Sequence, residues 1–97
     1  MEMRETLQKL WDARNCQGIA ALEKEARAAA ETLEVKLPKV AGVLYSYLGL
    51  AYSSLGRHRR AVEMHAKHLA IAHEVGDRAE VGSANGNLGK AYNSLGN

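Results

Sequence analysis

The sequence has no phenylalanine, and only one tryptophan, one proline and one cysteine among its 97 residues. Strands favour aromatic and β-branched side chains, so this scarcity, beside abundant Ala and Leu, argues for helices and against a sheet. A lone cysteine, Cys16, excludes an internal disulfide and a thiol pair for zinc. No apolar run approaches the ~20 residues of a membrane span, and no membrane contact is expected. The opening Met1-Glu2-Met3-Arg4-Glu5 lacks an apolar leader core, so the expectation is an intracellular, cytoplasmic protein. The net charge of +2 is far from the basic balance of a dedicated nucleic-acid binder, and no nucleic-acid partner is expected. What is present, 46% hydrophobic and 25% charged residues, suits one small folded domain rather than a disordered chain.

An internal repeat organises the chain. Leu48, Gly49, Ala51, Tyr52, Ser54, Leu55 and Gly56 recur 40 residues later as Leu88, Gly89, Ala91, Tyr92, Ser94, Leu95 and Gly96. The same offset links Ala21 to Ala61, Ala26 to Ala66, and Val35 to Val75. The spacing predicts one domain over residues 1–97, with a degenerate unit at 1–40, a full unit at 41–80 and half a unit at 81–97. In the first unit Gln8, Lys9 and Asp12 stand where the second has Leu48, Gly49 and Tyr52.

Within a unit the period is helical. Leu44, Leu48, Ala51, Tyr52 and Leu55 form one apolar stripe, and after Gly56 a second stripe runs through Ala61, Val62, Met64, Ala66, Leu69, Ile71, Ala72 and Val75. Pro38 suits a first helical turn, Gly56, Gly76 and Gly96 suit left-handed helix ends, and Asp77-Arg78-Ala79-Glu80 has capping-box spacing. These signals predict an all-α solenoid of five antiparallel helices near 2–15, 18–35, 39–55, 58–75 and 79–95. Gly49 and Gly89 sit inside helices at a cost of about 1 kcal/mol each, which implies close approach of a neighbour, with Ala61 the expected partner of Gly49.

Tyr45-x2-Leu48-Gly49-x2-Tyr52, followed by Ala61-x3-His65, resembles the tetratricopeptide pattern. The 40-residue unit, with Ala61 to Gly82 lying between successive Ser-Leu-Gly blocks, is similar to the Pins/LGN group of tetratricopeptide proteins. Those are scaffolds of spindle orientation and G-protein signalling. The resemblance implies a non-enzymatic module that binds a partner peptide on the concave face lined by the first helix of each repeat. The corresponding positions are Val43, Ser46, Leu50 and Ser53 in the second unit and Ser83, Gly86, Lys90 and Asn93 in the third. Where that group commonly carries Asn after Leu-Gly, this chain has Leu50 and Lys90.

The remaining constellations read as parts of the repeat. His65 and His68 are amphipathic helix positions rather than zinc ligands, because no third ligand shares their face. Cys16 is a turn residue with no neighbouring base, and Ser53, Ser54 and Ser94 lack a nucleophile-elbow turn. Gly82, Gly86 and Gly89 lie in a helix with no preceding strand, so they read as packing glycines and not as a phosphate loop. Arg57-His58-Arg59-Arg60 reads as a solvated corner, and Trp11 as a core or cap anchor. No enzyme activity, cofactor or metal is expected. The second reading is a structural unit that forms homodimers through an apolar stripe of Ala84, Leu88, Ala91, Tyr92 and Leu95 on the last helix.

Overall fold

A computed structural model describes residues 2–96. Helices account for 83% of the described residues, which contain no strand. Six helices follow one another: α1 (Met3–Asp12), α2 (Cys16–Ala21), α3 (Glu23–Leu33), α4 (Pro38–Ser54), α5 (His58–Val75) and α6 (Arg78–Ser94). Five helices were expected, and the difference lies in the degenerate first unit. There the stretch near 18–35 divides at Leu22, whose N–H bonds the Ile19 carbonyl three residues back rather than four.

The first unit also turns earlier than its repeat register predicts. α1 ends at Asp12 and the left-handed residue is Arg14, at φ 60°. Cys16 therefore does not occupy the turn; it opens α2, with the Asn15 side chain capping that helix at the Gly18 N–H. In the other units the left-handed residues are Gly56, Gly76 and Gly96, as their positions predict. Asp77 caps α6 by accepting the Glu80 N–H at 3.1 Å.

The helices stack in two layers. α4 touches α1 on one side and α6 on the other, while α2, α3 and α5 pack beneath. The all-α arrangement is consistent with a solenoid-like helical repeat. The core runs from Leu7, Ile19, Ala26 and Ala30 through Leu44, Tyr45, Leu48 and Ala51 to Ala61, Met64 and Ile71. Trp11 is half-buried and packs against this core from its edge.

On α5 the buried face is set by Ala61, Met64, His65, His68, Ile71 and Ala72, while Ala66 is exposed and Val62, Leu69 and Val75 are half-buried. His65 is the true partner of Gly49: a Cβ there would lie 2.4 to 2.7 Å from three ring atoms of His65, so the imidazole fills the space of the missing side chain. The expected partner, Ala61, is not among these closest atoms. Gly82, Gly86 and Gly89 are not packing glycines, since a Cβ on any of them would meet nothing within 4 Å. Their places on α6 are exposed because α5 covers only one side of that helix.

Gly49 and Gly89, equivalent in the repeat, should then respond oppositely to alanine. Gly49→Ala drives a methyl into the His65 ring and is expected to destabilise by about 1–3 kcal/mol. Gly89→Ala gains helix propensity in open space and is expected to stabilise by up to about 1 kcal/mol. Urea unfolding of both variants checks this; a Gly49→Ala protein more stable than the parent overturns the close packing.

Candidate functional site

α4 carries two opposed stripes. Leu44, Tyr45, Leu48, Gly49 and Tyr52 are buried, whereas Val43, Ser46, Leu50 and Ser53 are half-buried on the other side. On α6, Ala84 and Ala91 are buried, and Ser83, Gly86, Lys90 and Asn93 lie exposed on the corresponding stripe. The structure thus places all eight expected groove positions on the accessible side of adjacent helices. Among the described residues, Ser46, Ser53, Ser83, Lys90 and Asn93 make no side-chain hydrogen bond or ion pair.

The five residues expected to form a self-association stripe are not on one surface. Ala84 and Ala91 are buried within the fold, so they cannot meet a second copy. Leu88 is half-buried, while Tyr92 is 48% and Leu95 37% exposed.

A polar junction that sequence reasoning missed joins three helices. The Glu23 carboxylate, at the start of α3, accepts hydrogen bonds from the Tyr52 hydroxyl on α4, from Arg60 on α5 and from Arg27 at 3.2 Å. The Arg60 guanidinium also lies 5.5 Å from the Tyr52 ring centroid. Arg60 is therefore not part of a solvated corner; Arg57 and Arg59 remain exposed. Burial alone would raise the Glu23 pKa, but the hydrogen bonds from Arg60, Tyr52 and Arg27 outweigh it and hold the carboxyl at about 2. A carboxylate and an arginine 37 positions apart, on a degenerate and an intact unit, leave no local pattern to read.

The histidines of α5 belong to the interior. His68 is almost wholly buried, and its Nε2 meets the Glu80 carboxylate of α6 at 2.7 Å. His65 is fully buried, with neither ring nitrogen hydrogen-bonded among the described residues. Burial, with a smaller push from His68, lowers its pKa to about 4, so the ring is neutral at pH 7. Among the described residues no three His, Cys, Asp or Glu side chains converge as a metal site would require. No helix described is long and apolar enough to cross a membrane.

One concavity adjoins the accessible face. Where α4 begins, α5 ends and α6 begins, a cleft of about 210 Å³ opens beside Val43, with Ile71 and Val75 in its wall.

No protein-family model matches the chain, and no solved structure matches it significantly. Curated relatives do. Over 79 residues, or 81% of the chain, it is 38% identical to part of G-protein-signaling modulator 1 of Homo sapiens, covering 11% of that protein. The Mus musculus and Rattus norvegicus proteins of the same name are each 35% identical over 71 residues, or 73% of the chain and 10% of the relative. The chain thus spans about a tenth of the length of the curated relatives it matches.

The two perturbed groups predict acid sensitivity in two windows. An unfolded chain protonates His65 near pH 6.5, whereas the folded chain resists until about 4. Its contribution is complete above pH 6.5 and lost as pH falls toward 4, roughly 3 kcal/mol in all. Glu23, with an ordinary value of 4.5, stabilises above that pH and loses its contribution as pH falls toward 2. Urea midpoints against pH should therefore decline from pH 6.5 downward. His65→Leu should flatten the upper part of the decline and Glu23→Gln the lower part; parallel curves for all three proteins would remove both assignments.

Proposed function

We propose that the chain is a tetratricopeptide-like protein-interaction module of adaptor type, with no catalytic role. One observation carries this reading: Val43, Ser46, Leu50, Ser53, Ser83, Lys90 and Asn93 lie on the accessible sides of adjacent helices, and their polar side chains have no partner among the described residues. A helical-repeat layer with such a face takes an extended or helical segment of another protein. The contact residues are Val43, Ser46, Leu50, Ser53, Ser83, Lys90 and Asn93. The matched relatives are, by name, modulators of G-protein signalling, and a partner in such signalling is the corresponding proposal here. The repeat boundaries at 40 and 80 are part of the same reading.

Panning a random peptide library on the immobilised chain tests the reading. Selected peptides are expected to perturb the amide signals of Ser46, Leu50, Ser53 and Lys90. A Ser46→Arg, Ser53→Arg variant, altered on the accessible stripe alone, should bind them about tenfold more weakly with an unchanged melting temperature. Peptides that ignore this variant, or a library that yields none, overturn the reading.

A second reading rests on the exposure of Tyr92 and Leu95, which with Leu88 leave an apolar strip along α6. Such a strip suits a second copy of the chain. Light scattering at high micromolar concentration should then show a dimer that Tyr92→Lys, Leu95→Lys dissociates without unfolding; a monomeric parent ends this reading.

A further inference from the structure

α6 is attached to the fold by much less than the helices beside it. α4 buries eight of its 17 residues and α5 six of its 18, with Leu48 and Met64 wholly inside. α6 buries two of 17, and both are alanines. Of the two, only Ala91 belongs to the contiguous core. Helices in proteins are held chiefly by packing of an apolar face, and this face is thin.

Intrinsic propensity does not compensate. Eight of the 17 residues of α6 are Gly, Asn or Ser, all weak helix formers. Gly82, Gly86 and Gly89 are exposed, and a Cβ on any of them would meet nothing within 4 Å, so they weaken the helix without any packing that requires them. The polar ties are confined to the first turn. There Glu80 meets His68 of α5 at 2.7 Å, and Asp77 caps the helix. From Val81 to Ser94 no side-chain hydrogen bond or ion pair reaches another element among the described residues. Gly76 and Asp77 alone join α5 to α6, and Gly76 is left-handed at φ 70°.

We propose that α6 undocks from α5 as one unit, about the Gly76–Asp77 link, while α1 to α5 stay folded. Elements with few buried apolar contacts open ahead of the global transition in this way. Ser83, Lys90 and Asn93 lie on α6, so undocking separates them from Val43, Ser46, Leu50 and Ser53 on α4. In the proposed interaction module, a segment touching both helices binds the docked state alone and draws the population toward it. That consequence rests on the protein-interaction reading, whereas the undocking itself does not.

The test is native-state hydrogen exchange of the intact chain by nuclear magnetic resonance, near neutral pH and at low urea concentrations. The amides of Asn85, Leu88, Ala91 and Tyr92 are expected to share one opening equilibrium. They should exchange at least about tenfold faster than those of Leu48 and Met64. Ile19→Val removes one buried methylene from α2, which packs on α1, α3 and α4. It should speed Leu48 and Met64 about fivefold and leave α6 as it was. Glu80→Ala removes the tie to His68 and should speed α6 about fivefold. α6 amides as slow as Leu48, or accelerated by Ile19→Val, overturn the undocking. So does a rate that climbs residue by residue toward Ser94, which is fraying, and so does α6 exchange indifferent to Glu80→Ala. A library-selected peptide that shifts both Ser53 and Lys90 should slow α6 exchange; unchanged exchange on binding overturns the coupling alone. A library that yields no peptide overturns the interaction module and leaves the undocking standing on its exchange data.

Discussion

The seam between α4 and α5 depends on a histidine ring laid against a residue with no side chain. Gly49 carries its helix-propensity cost so that the imidazole of His65 can occupy the space a Cβ would fill. Small residues on both helices, Ala51 and Ala61 among them, then sit wholly inside. α6 packs on the same helix α5, where it buries Ala84 and Ala91 and where Glu80 meets His68, one turn beyond His65. The arrangement works only with His65 neutral, since a buried cation without a partner carries a heavy desolvation cost. The core is thus built around a polar ring that contributes as a flat, close-packed body.

Residues 1–35 carry no Leu-Gly-Tyr pattern, and their helices are held by other means. Leu7, Ile19, Ala26 and Ala30 supply apolar contact, and the Glu23 carboxylate gathers donors from α3, α4 and α5 into one junction. A carboxylate with several donors is costly to strip of any one of them, because the buried remainder is left unsatisfied. Glu23, Arg27 and Arg60 pair with one another, whereas Lys36, Lys39 and Lys90 have no ion-pair partner among the described residues.

What could be read beforehand was whatever depends on local spacing. The bounds of α4, α5 and α6 follow from Pro38, from the left-handed glycines and from the Asp77 cap, all signals within a few residues of the ends they set. The break at Leu22 and the early turn at Arg14 were not legible, because the degenerate unit lacks the glycine that marks the turn elsewhere. Glycines in α6 resemble Gly49 by register, but their packing depends on whether a helix lies opposite, and among the described residues none does. Periodicity marked the buried stripe of Leu44, Leu48, Ala51 and Tyr52, whereas the positions Val43, Ser46, Leu50 and Ser53 followed only from the resemblance to the tetratricopeptide pattern. The cleft beside Val43 was not legible, since it joins residues of three helices between positions 39 and 80.

The repeat also shows how far identical residues are defined by their neighbours. Tyr52 is 4% exposed, enclosed by Glu23 and Arg60, whereas Tyr92, its equivalent, is 48% exposed because no helix lies beyond α6 among the described residues. Burial is therefore a property of the stack and not of the motif. The accessible face behaves differently: it differs between units in chemistry rather than in cover. Leu50 on α4 is matched by Lys90 on α6, and Val43 by Ser83. A segment crossing from α4 to α6 passes from an apolar to a basic, polar stretch, so its two directions are not equivalent. In the proposed interaction module this change of chemistry would set the orientation of a bound segment.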